Sequence, residues 1–240
     1  MASCCCFVAS DENDVYRRHV DPGEPPAGPA VPSVAVGEED FELMRVLGRG
    51  TYGKVVQVCK RDTGRLYAMK IMRKEDVIMR NQVKHTLTER HVLQSVRHPF
   101  IVGLQFAFQT PDKLYLVLPF MGGGELFFHL RRERTFSEAR VLLYASEIVL
   151  ALQELHRHDI VYRDLKPENV LMDAQGHLAL SDFGLAKEAV SSLPGGASTF
   201  CGSPSYMAPE VLLGTGHGFA VDWWSFGTLP LDGTLTLTAT

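Results

Sequence analysis

The chain has 240 residues, of which 45% are hydrophobic and 22% are charged, and its net charge is −4 at pH 7. This composition is that of an ordinary globular protein with enough apolar residues to bury a core. The negative charge disfavours a broadly basic nucleic-acid surface, and no stretch approaches the roughly 18 consecutive apolar residues that a membrane span requires. We therefore expect neither nucleic-acid binding nor a transmembrane segment.

Residues 1–40 form a first segment that is rich in Pro, Gly, Ala and charged residues, above all in Asp21–Pro32. Such a composition buries too little apolar surface to offset the entropy of ordering, so we predict a disordered tail without a secretory signal. The five cysteines are Cys4–Cys6, Cys59 and Cys201, and they lack metal-ligand spacing. A cytoplasmic, reducing location is expected, and palmitate on Cys4–Cys6 is the alternative that would attach the chain to a membrane.

Short runs of β-branched and aromatic residues, separated by turn residues, begin at Phe41. These runs predict strands that start at Phe41 and that cover Val55–Val58, Leu66–Ile71, Phe100–Phe108 and Leu114–Leu118. Between the third and fourth strands, Val83–Val96 has apolar residues near helical spacing. A small sheet that carries one helix is therefore expected.

Beyond the glycine run Gly122–Gly124 the pattern becomes mostly helical. Ser137 and Glu138 are placed as the N-cap and as an acidic residue in the first turn of a helix. The apolar stripe of that helix comprises Val141, Ala145, Ile148, Leu152 and Leu155. A helical second lobe is therefore predicted to follow the sheet.

Gly48, Gly50 and Gly53 form the pattern GxGxxGxV, which ends at Val55 between two predicted strands. Glycines without a Cβ let the backbone approach a polyphosphate closely. A glycine-rich hairpin that binds nothing is the alternative interpretation, because this motif alone has low specificity.

Lys70 and Glu89 follow this loop on the next strand and the next helix. The glutamate is placed where it can pair with the lysine. Two solvated surface residues are the alternative interpretation, since Lys and Glu are mostly exposed in proteins.

Three further motifs lie in the second half of the chain. They are VYRDLKPENVL at Val161–Leu171, DFG at Asp182–Gly184 and APE at Ala208–Glu210. Together with the glycine loop and Lys70, their order and spacing match the protein-kinase signature set. Polar loops that match by chance are the alternative, and five motifs in the correct order argue against it.

Finer detail indicates one group of kinases. Tyr162 stands before the Arg-Asp pair, and the stretches HTLTERHVLQSVRHPF, GGGELFFHL and STFCGSPSYMAPE are similar to those of AGC kinases. From about Phe41 to Gly227 the chain resembles a eukaryotic-type serine/threonine kinase of the AGC group. The resemblance implies an α+β, bilobal protein-kinase-like fold, with a small antiparallel N-lobe sheet that carries one helix and a mainly helical, incomplete C-lobe. The implied bounds are 41–118 for the N-lobe, 119–124 for the hinge, 125–228 for the partial C-lobe and 229–240 for a tail outside the family pattern.

The same resemblance implies ATP and Mg²⁺ as cofactors and assigns a role to each motif residue. The residues expected to bind ATP are Leu47, Gly48, Gly50, Gly53, Val55, Ala68, Lys70, Glu89 and Met121. Asp164 accepts the proton or hydrogen bond of the substrate hydroxyl, and Lys166 neutralises charge on the transferring phosphoryl group. Asn169 and Asp182 ligate Mg²⁺, for which oxygen ligands are suited.

Protein substrates with Ser or Thr and an upstream activating kinase are the implied partners of a monomeric enzyme. Glu125 and Glu168 match positions that receive basic residues of the substrate, because carboxylates bind arginine bidentately. The alternative interpretation is that both glutamates have local structural roles: Glu125 caps the next helix, and Glu168 hydrogen-bonds within its loop. Ser205 replaces a glutamate that is usual before APE, which puts other contacts to the peptide in doubt.

Thr199 matches the activation-loop phosphorylation site of the group. Arg163, Lys187 and His85 match the basic residues that receive its phosphate, which would order a Gly- and Ser-rich loop. An exposed threonine without modification is the alternative.

The end of the chain departs from the family pattern. Asp222 is expected on a buried helix, where it would hold the backbone around Arg163 and Asp164, but Pro230 interrupts that helix. Helices that complete a large lobe are then expected to be missing. Two hypotheses result, namely an active serine/threonine kinase or a catalytically inactive fragment that binds nucleotides or partners.

Overall fold

The computed structural model describes residues 36–50, 53–192 and 196–229. The cysteines Cys4–Cys6, Pro230 and all residues after it lie outside this part. Two compact units divide the chain. The first contains the described residues up to Val83 and Gln105–Leu118, and the second contains Lys84–Leu104 and the residues from Pro119 onward.

A five-stranded sheet is the main feature of the first unit, with the strand order β1-β2-β3-β5-β4. The strands are β1 (Phe41–Gly50), β2 (Gly53–Lys60), β3 (Leu66–Arg73), β4 (Phe106–Gln109) and β5 (Lys113–Pro119). The pairs β1–β2, β2–β3 and β4–β5 are antiparallel. The core of this unit includes Phe41, Val58, Met69 and Tyr115, all of which are buried.

The predicted strand Phe100–Phe108 is wrong in its first part, because β4 covers only its end. Ile101 makes a single parallel bridge to Leu180, and the Val102 N–H donates to the Leu180 carbonyl at 2.9 Å. A short apolar run has the same appearance in sequence whether it forms a ladder or one buried bridge. This part of the run belongs to the second unit.

The helices are α1 (Lys74–Met79), α2 (Val83–Ser95), α3 (Leu126–Glu133), α4 (Glu138–Arg157), α5 (Pro209–Leu213) and α6 (Ala220–Gly227). The second unit also holds a sheet with the order β6-β7-β8, made of β6 (Gly124–Glu125), β7 (Val170–Met172) and β8 (Leu178–Leu180). The predicted α+β fold with an antiparallel sheet and a helical part is confirmed. Helix α1 was not predicted, since its six residues are too few to show a periodic pattern. In the part of the chain described, no helix is long and apolar enough to cross a membrane.

Helix α4 buries the predicted stripe through Ile148, Leu152 and Leu155, and Tyr144 and Ala151 extend it. Ser137 occupies the N-cap position as expected, but its side chain makes no capping hydrogen bond. The helix is therefore held mainly by its apolar face, as is usual for helices in globular proteins.

Glu147 is a buried carboxylate on the same face of α4. One oxygen accepts the Leu178 N–H at 2.8 Å, and the other lies 2.6 Å from Nδ1 of His177. This carboxylate raises the pKa of His177. Because buried charges need such partners, Glu147 fastens the start of β8 to the helix.

Candidate active site

Asp222, a fully buried residue of α6, holds the backbone of the loop Val161–Asn169. Its carboxylate accepts the N–H groups of Tyr162 at 2.9 Å and Arg163 at 2.8 Å, and it lies 2.8 Å from Nε2 of His156. The expected role of Asp222 in holding this backbone is confirmed. A buried carboxylate with these contacts has one low-energy position, so the loop is fixed with it.

Arg163 has a left-handed backbone with φ 67°, which is uncommon for a residue with a side chain. Its Nε donates to the Leu185 carbonyl at 2.8 Å, in the segment that follows DFG. Asp182 also has a positive φ, of 54°. Strained residues of this kind persist where surrounding contacts hold them, and they concentrate at functional sites.

Asp164 is the centre of a polar cluster in which three of the predicted residues meet. Its Oδ2 lies 2.7 Å from Nζ of Lys166 and accepts a hydrogen bond from Nδ2 of Asn169 at 2.8 Å. The hydroxyl of Ser203 donates to Oδ1 of Asp164 at 3.0 Å and accepts from Nζ of Lys166, also at 3.0 Å. These contacts hold the carboxylate and the ammonium group in a defined geometry.

Ser203 was missed by the sequence reasoning, although it lies within the STFCGSPSYMAPE stretch. A serine in a Ser- and Gly-rich segment has no spacing that distinguishes it from its neighbours. The structure finds it because the hydroxyl contacts both Asp164 and Lys166.

Replacing Ser203 by Ala is expected to lower kcat. Hydrogen bonds to charged groups contribute about 1.5–3 kcal/mol, which corresponds to a loss of roughly 10- to 100-fold if the hydroxyl orients both groups in the transition state. Ser203→Thr keeps the hydroxyl and is the matched control. Steady-state kinetics with a serine peptide measure the effect, and equal kcat values for the Ala and Thr variants would contradict it.

The predicted magnesium ligands lie at the ends of β7 and β8. Asn169 is buried in the 3-10 helix Pro167–Asn169, and Asp182 follows β8 with its Oδ1 accepting the Gly184 N–H at 3.4 Å. Among the described residues, no three His, Cys, Asp or Glu side chains gather as a metal cluster. Mg²⁺ does not need such a cluster, because it keeps several waters and is held by one or two protein oxygens together with phosphates. One carboxylate and one amide oxygen therefore fit Mg²⁺.

The glycine loop of the first unit joins β1 to β2. A Cβ at Gly48 or Gly50 would meet nothing within 4 Å, which leaves these positions open to an approaching group. A Cβ at Gly53 would instead clash with the carbonyl of Ile71 on β3. Gly53 is therefore required by strand packing, a role that the motif alone did not indicate.

The other predicted nucleotide-binding residues divide between the two units. Val55 lies directly opposite Lys70 in the β2–β3 ladder, and Ala68 is two residues before Lys70, so the three share one face of the sheet. Leu47 lies on β1 of the same unit. Glu89 is buried on α2, and Met121 follows β5, both in the second unit.

Residues 41–234 match the family model described as a protein kinase domain, which covers most of the chain. The chain belongs to the protein kinase family.

Relatives of this kinase domain agree with that assignment. "Protein kinase 2" of Dictyostelium discoideum is 59% identical over 192 residues, which are 80% of this chain and 40% of that protein. "RAC-beta serine/threonine-protein kinase" of Homo sapiens is 53% identical over 192 residues, or 79% of this chain and 39% of the relative. "Serine/threonine-protein kinase gad8" of Schizosaccharomyces pombe is 54% identical over 189 residues, which are 79% of this chain and 33% of that relative. The resemblance to AGC-type serine/threonine kinases is confirmed, and the chain spans less than half the length of these relatives.

Glu125 and Glu168 form an acidic pair in the kinase domain. Glu125 occupies the N-cap position of α3 but makes no capping hydrogen bond, so the local alternative for this residue is not realised. Burial raises the pKa of Glu125, and the negative charge of Glu168 raises it further. Two carboxylates that repel one another in this way favour a cation between them.

The basic residues Arg163, Lys187 and His85 are brought together within the second unit. Burial lowers the pKa of Lys187, and so do the charges of Lys84 and Arg163. The pKa of His85 is lowered by burial, then by Arg163 and Lys84. Lys84 was not predicted as a member of this cluster. Cations that destabilise one another make a favourable place for an anion.

Proposed function

We propose that this chain transfers the γ-phosphoryl group of ATP to serine or threonine hydroxyls of proteins. The observation that carries the proposal is the Asp164 carboxylate held by Lys166 and Ser203 at 2.7–3.0 Å. A carboxylate in this position accepts a proton, and the neighbouring ammonium group is available to a phosphoryl oxygen. Family membership and the names of the relatives support the same reaction.

In this reaction the hydroxyl oxygen of the substrate attacks the γ-phosphorus and forms the new P–O bond. The bond between the γ-phosphorus and the β–γ bridging oxygen breaks, and ADP leaves. The hydroxyl proton passes to Asp164, which acts as the general base, and Lys166 stabilises negative charge on the transferring group.

Asn169 and Asp182 would hold Mg²⁺, and the metal supplies charge neutralisation on the phosphate oxygens. In the first unit, Lys70 would bind the α- and β-phosphates while Gly48 and Gly50 let the backbone approach them. The hinge at Met121 would contact adenine through its backbone.

The acidic pair supports a preference for substrates with basic residues before the target hydroxyl. Changing Glu125 or Glu168 to Gln is expected to raise KM for an arginine-containing peptide by roughly 10-fold, since a hydrogen-bonded charge contributes about 1.5–3 kcal/mol. The same peptide with Arg replaced by Ala should be insensitive to both changes. Glu138→Gln, in the first turn of α4, is the control variant. Equal KM ratios for the two peptides would contradict the preference.

The cation cluster supports regulation by phosphate on Thr199, an exposed residue of the activation segment. An upstream kinase would supply that phosphate. We further propose a monomer in the cytoplasm, and the free thiols of Cys59 and Cys201 are consistent with a reducing compartment.

The experiment that tests the proposed function uses the purified chain, γ-labelled ATP and a serine peptide with basic residues. Label in the peptide with Mg²⁺, and none with excess chelator or when the serine is alanine, is expected. Label in the alanine peptide would overturn the acceptor assignment. Absence of label in every sample would favour an inactive fragment of the kinase domain.

A further inference from the structure

His217 is a buried histidine that the motif analysis did not single out. Only 5% of the residue is exposed, and among the described residues its Nε2 has no hydrogen-bond partner. Its backbone makes an antiparallel bridge with Ala197, in which each N–H donates to the other carbonyl at 2.8 Å. His217 is therefore joined to the activation segment by its main chain, while Nε2 of its ring has no partner among the described residues.

The activation segment is packed against two buried basic residues, one at each end of a short stretch. A Cβ at Gly196 would clash with the His217 carbonyl, and a Cβ at Gly202 would lie 2.8 Å from the carbonyl of Arg163. The residues 197–201 thus run from His217 to Arg163. Thr199 is at the middle of this stretch and is exposed.

Arg163 has a matching feature. Its Nη1 is buried and, in the part of the chain described, has no hydrogen-bond partner, although its Nε donates to Leu185. Buried donors in native structures are nearly always satisfied, and an exception calls for an explanation such as an absent ligand. Two buried nitrogens on either side of one stretch point to a ligand with several acceptor oxygens.

The charges around His217 indicate the sign of that ligand. Burial lowers the pKa of His217, the positive charge of Arg163 lowers it further, and Glu210 and Asp222 act in the opposite direction. The other titratable groups around Arg163 are Cys201, His85 and Lys187. An anion would give both buried nitrogens an acceptor, and Lys187 and Lys84 add positive charge beside Arg163.

Thr199 is the residue of this stretch that carries phosphate in the proposed regulation. Directly opposite residues of an antiparallel bridge have side chains on the same face, so Ala197 shares a face with His217. Thr199 follows two residues later and is exposed. We propose that His217 is a further phosphate-binding residue of the activation segment, which together with Arg163 binds a phosphate monoester on Thr199.

This inference rests on the proposed regulation through Thr199 and adds a consequence to it. A phosphate dianion beside His217 favours the imidazolium form, so binding of the phosphate is coupled to uptake of a proton. The phosphate would then be held more firmly at mildly acidic pH, where His217 is charged.

NMR of the chain labelled with ¹⁵N-histidine tests this coupling without any need for catalysis. Phosphothreonine is placed at position 199 during synthesis, so the identity and existence of an upstream kinase do not affect the result. The expected result is that the titration midpoint of His217 rises by about one pH unit or more when Thr199 carries phosphate. His158, an exposed histidine at the end of α4, is the control, and its ¹⁵N signals should be the same with and without the phosphate.

A second readout uses the rate at which a phosphatase removes the phosphate. His217→Phe keeps an aromatic ring of similar size but removes Nε2, and it should speed phosphate removal several-fold. His158→Phe is the matched control and should leave the rate unchanged. An unchanged His217 titration in the unsubstituted chain, or an unchanged rate in His217→Phe, overturns the proposal. Because neither readout measures phosphoryl transfer, failure here is distinct from failure of the proposed enzyme activity.

Discussion

Replacing Asp222 by Ala is expected to lower the free energy of unfolding by about 3 kcal/mol or more. The change removes the acceptor of two buried N–H groups, those of Tyr162 and Arg163, and the partner of His156. Each buried group left without a partner costs about 1–3 kcal/mol. Because a domain is stable by only about 5–15 kcal/mol, this loss removes a large share of that stability.

Urea unfolding followed by circular dichroism measures this effect. Asp62→Ala is a suitable control, because the Asp62 carboxylate is exposed and pairs with Lys60 on the surface of the first unit. The control should keep the midpoint of the parent chain. An Asp222→Ala variant with the same midpoint would contradict the anchoring role of α6.

Replacing Lys166 by Met is expected to lower kcat by roughly 10²- to 10³-fold, while KM for ATP changes little. A fall in kcat of this size is typical when one group that stabilises charge in the transition state is lost. Methionine keeps the length and apolar stem of the side chain but lacks the ammonium group. The ion pair with Asp164 at 2.7 Å and the contact with Ser203 would both disappear.

Steady-state kinetics with ATP and a serine peptide measure kcat and KM for ATP separately. Lys113→Met, at the first residue of β5, is the matched control, because the half-buried Lys113 pairs only weakly, with Asp112 at 3.5 Å. A fall in ATP affinity without a fall in kcat would assign Lys166 to ground-state binding instead.

The sequence predicted most of the elements that carry the site because their signals are local. Strands β1, β2 and β3 have regular runs between turn residues, and α4 has an apolar stripe long enough to define its period. The catalytic loop was found through residues such as Asp164 and Asn169, whose chemistry requires a fixed order and spacing.

The remaining features depend on contacts between distant parts of the chain. Ser203 reaches Asp164 from 39 positions away, and Glu147 reaches Leu178 from 31 positions away. His217 is placed by a single backbone bridge to Ala197. Neither periodicity nor spacing records such contacts, so these residues could be recognised only after the fold was known.

The most direct measurement of the central claim is transfer of labelled γ-phosphoryl from ATP by the purified chain and by its Asp164→Asn variant, side by side. Asparagine preserves the shape of the side chain but cannot act as the base, a role that contributes about 10²- to 10⁴-fold. We expect Mg²⁺-dependent labelling of a serine peptide by the parent chain, a loss of that order in the variant, and similar ATP binding by both. Equal labelling by the two proteins, or ATP binding without any labelling by the parent, would contradict the assignment of phosphoryl transfer to the Asp164 cluster.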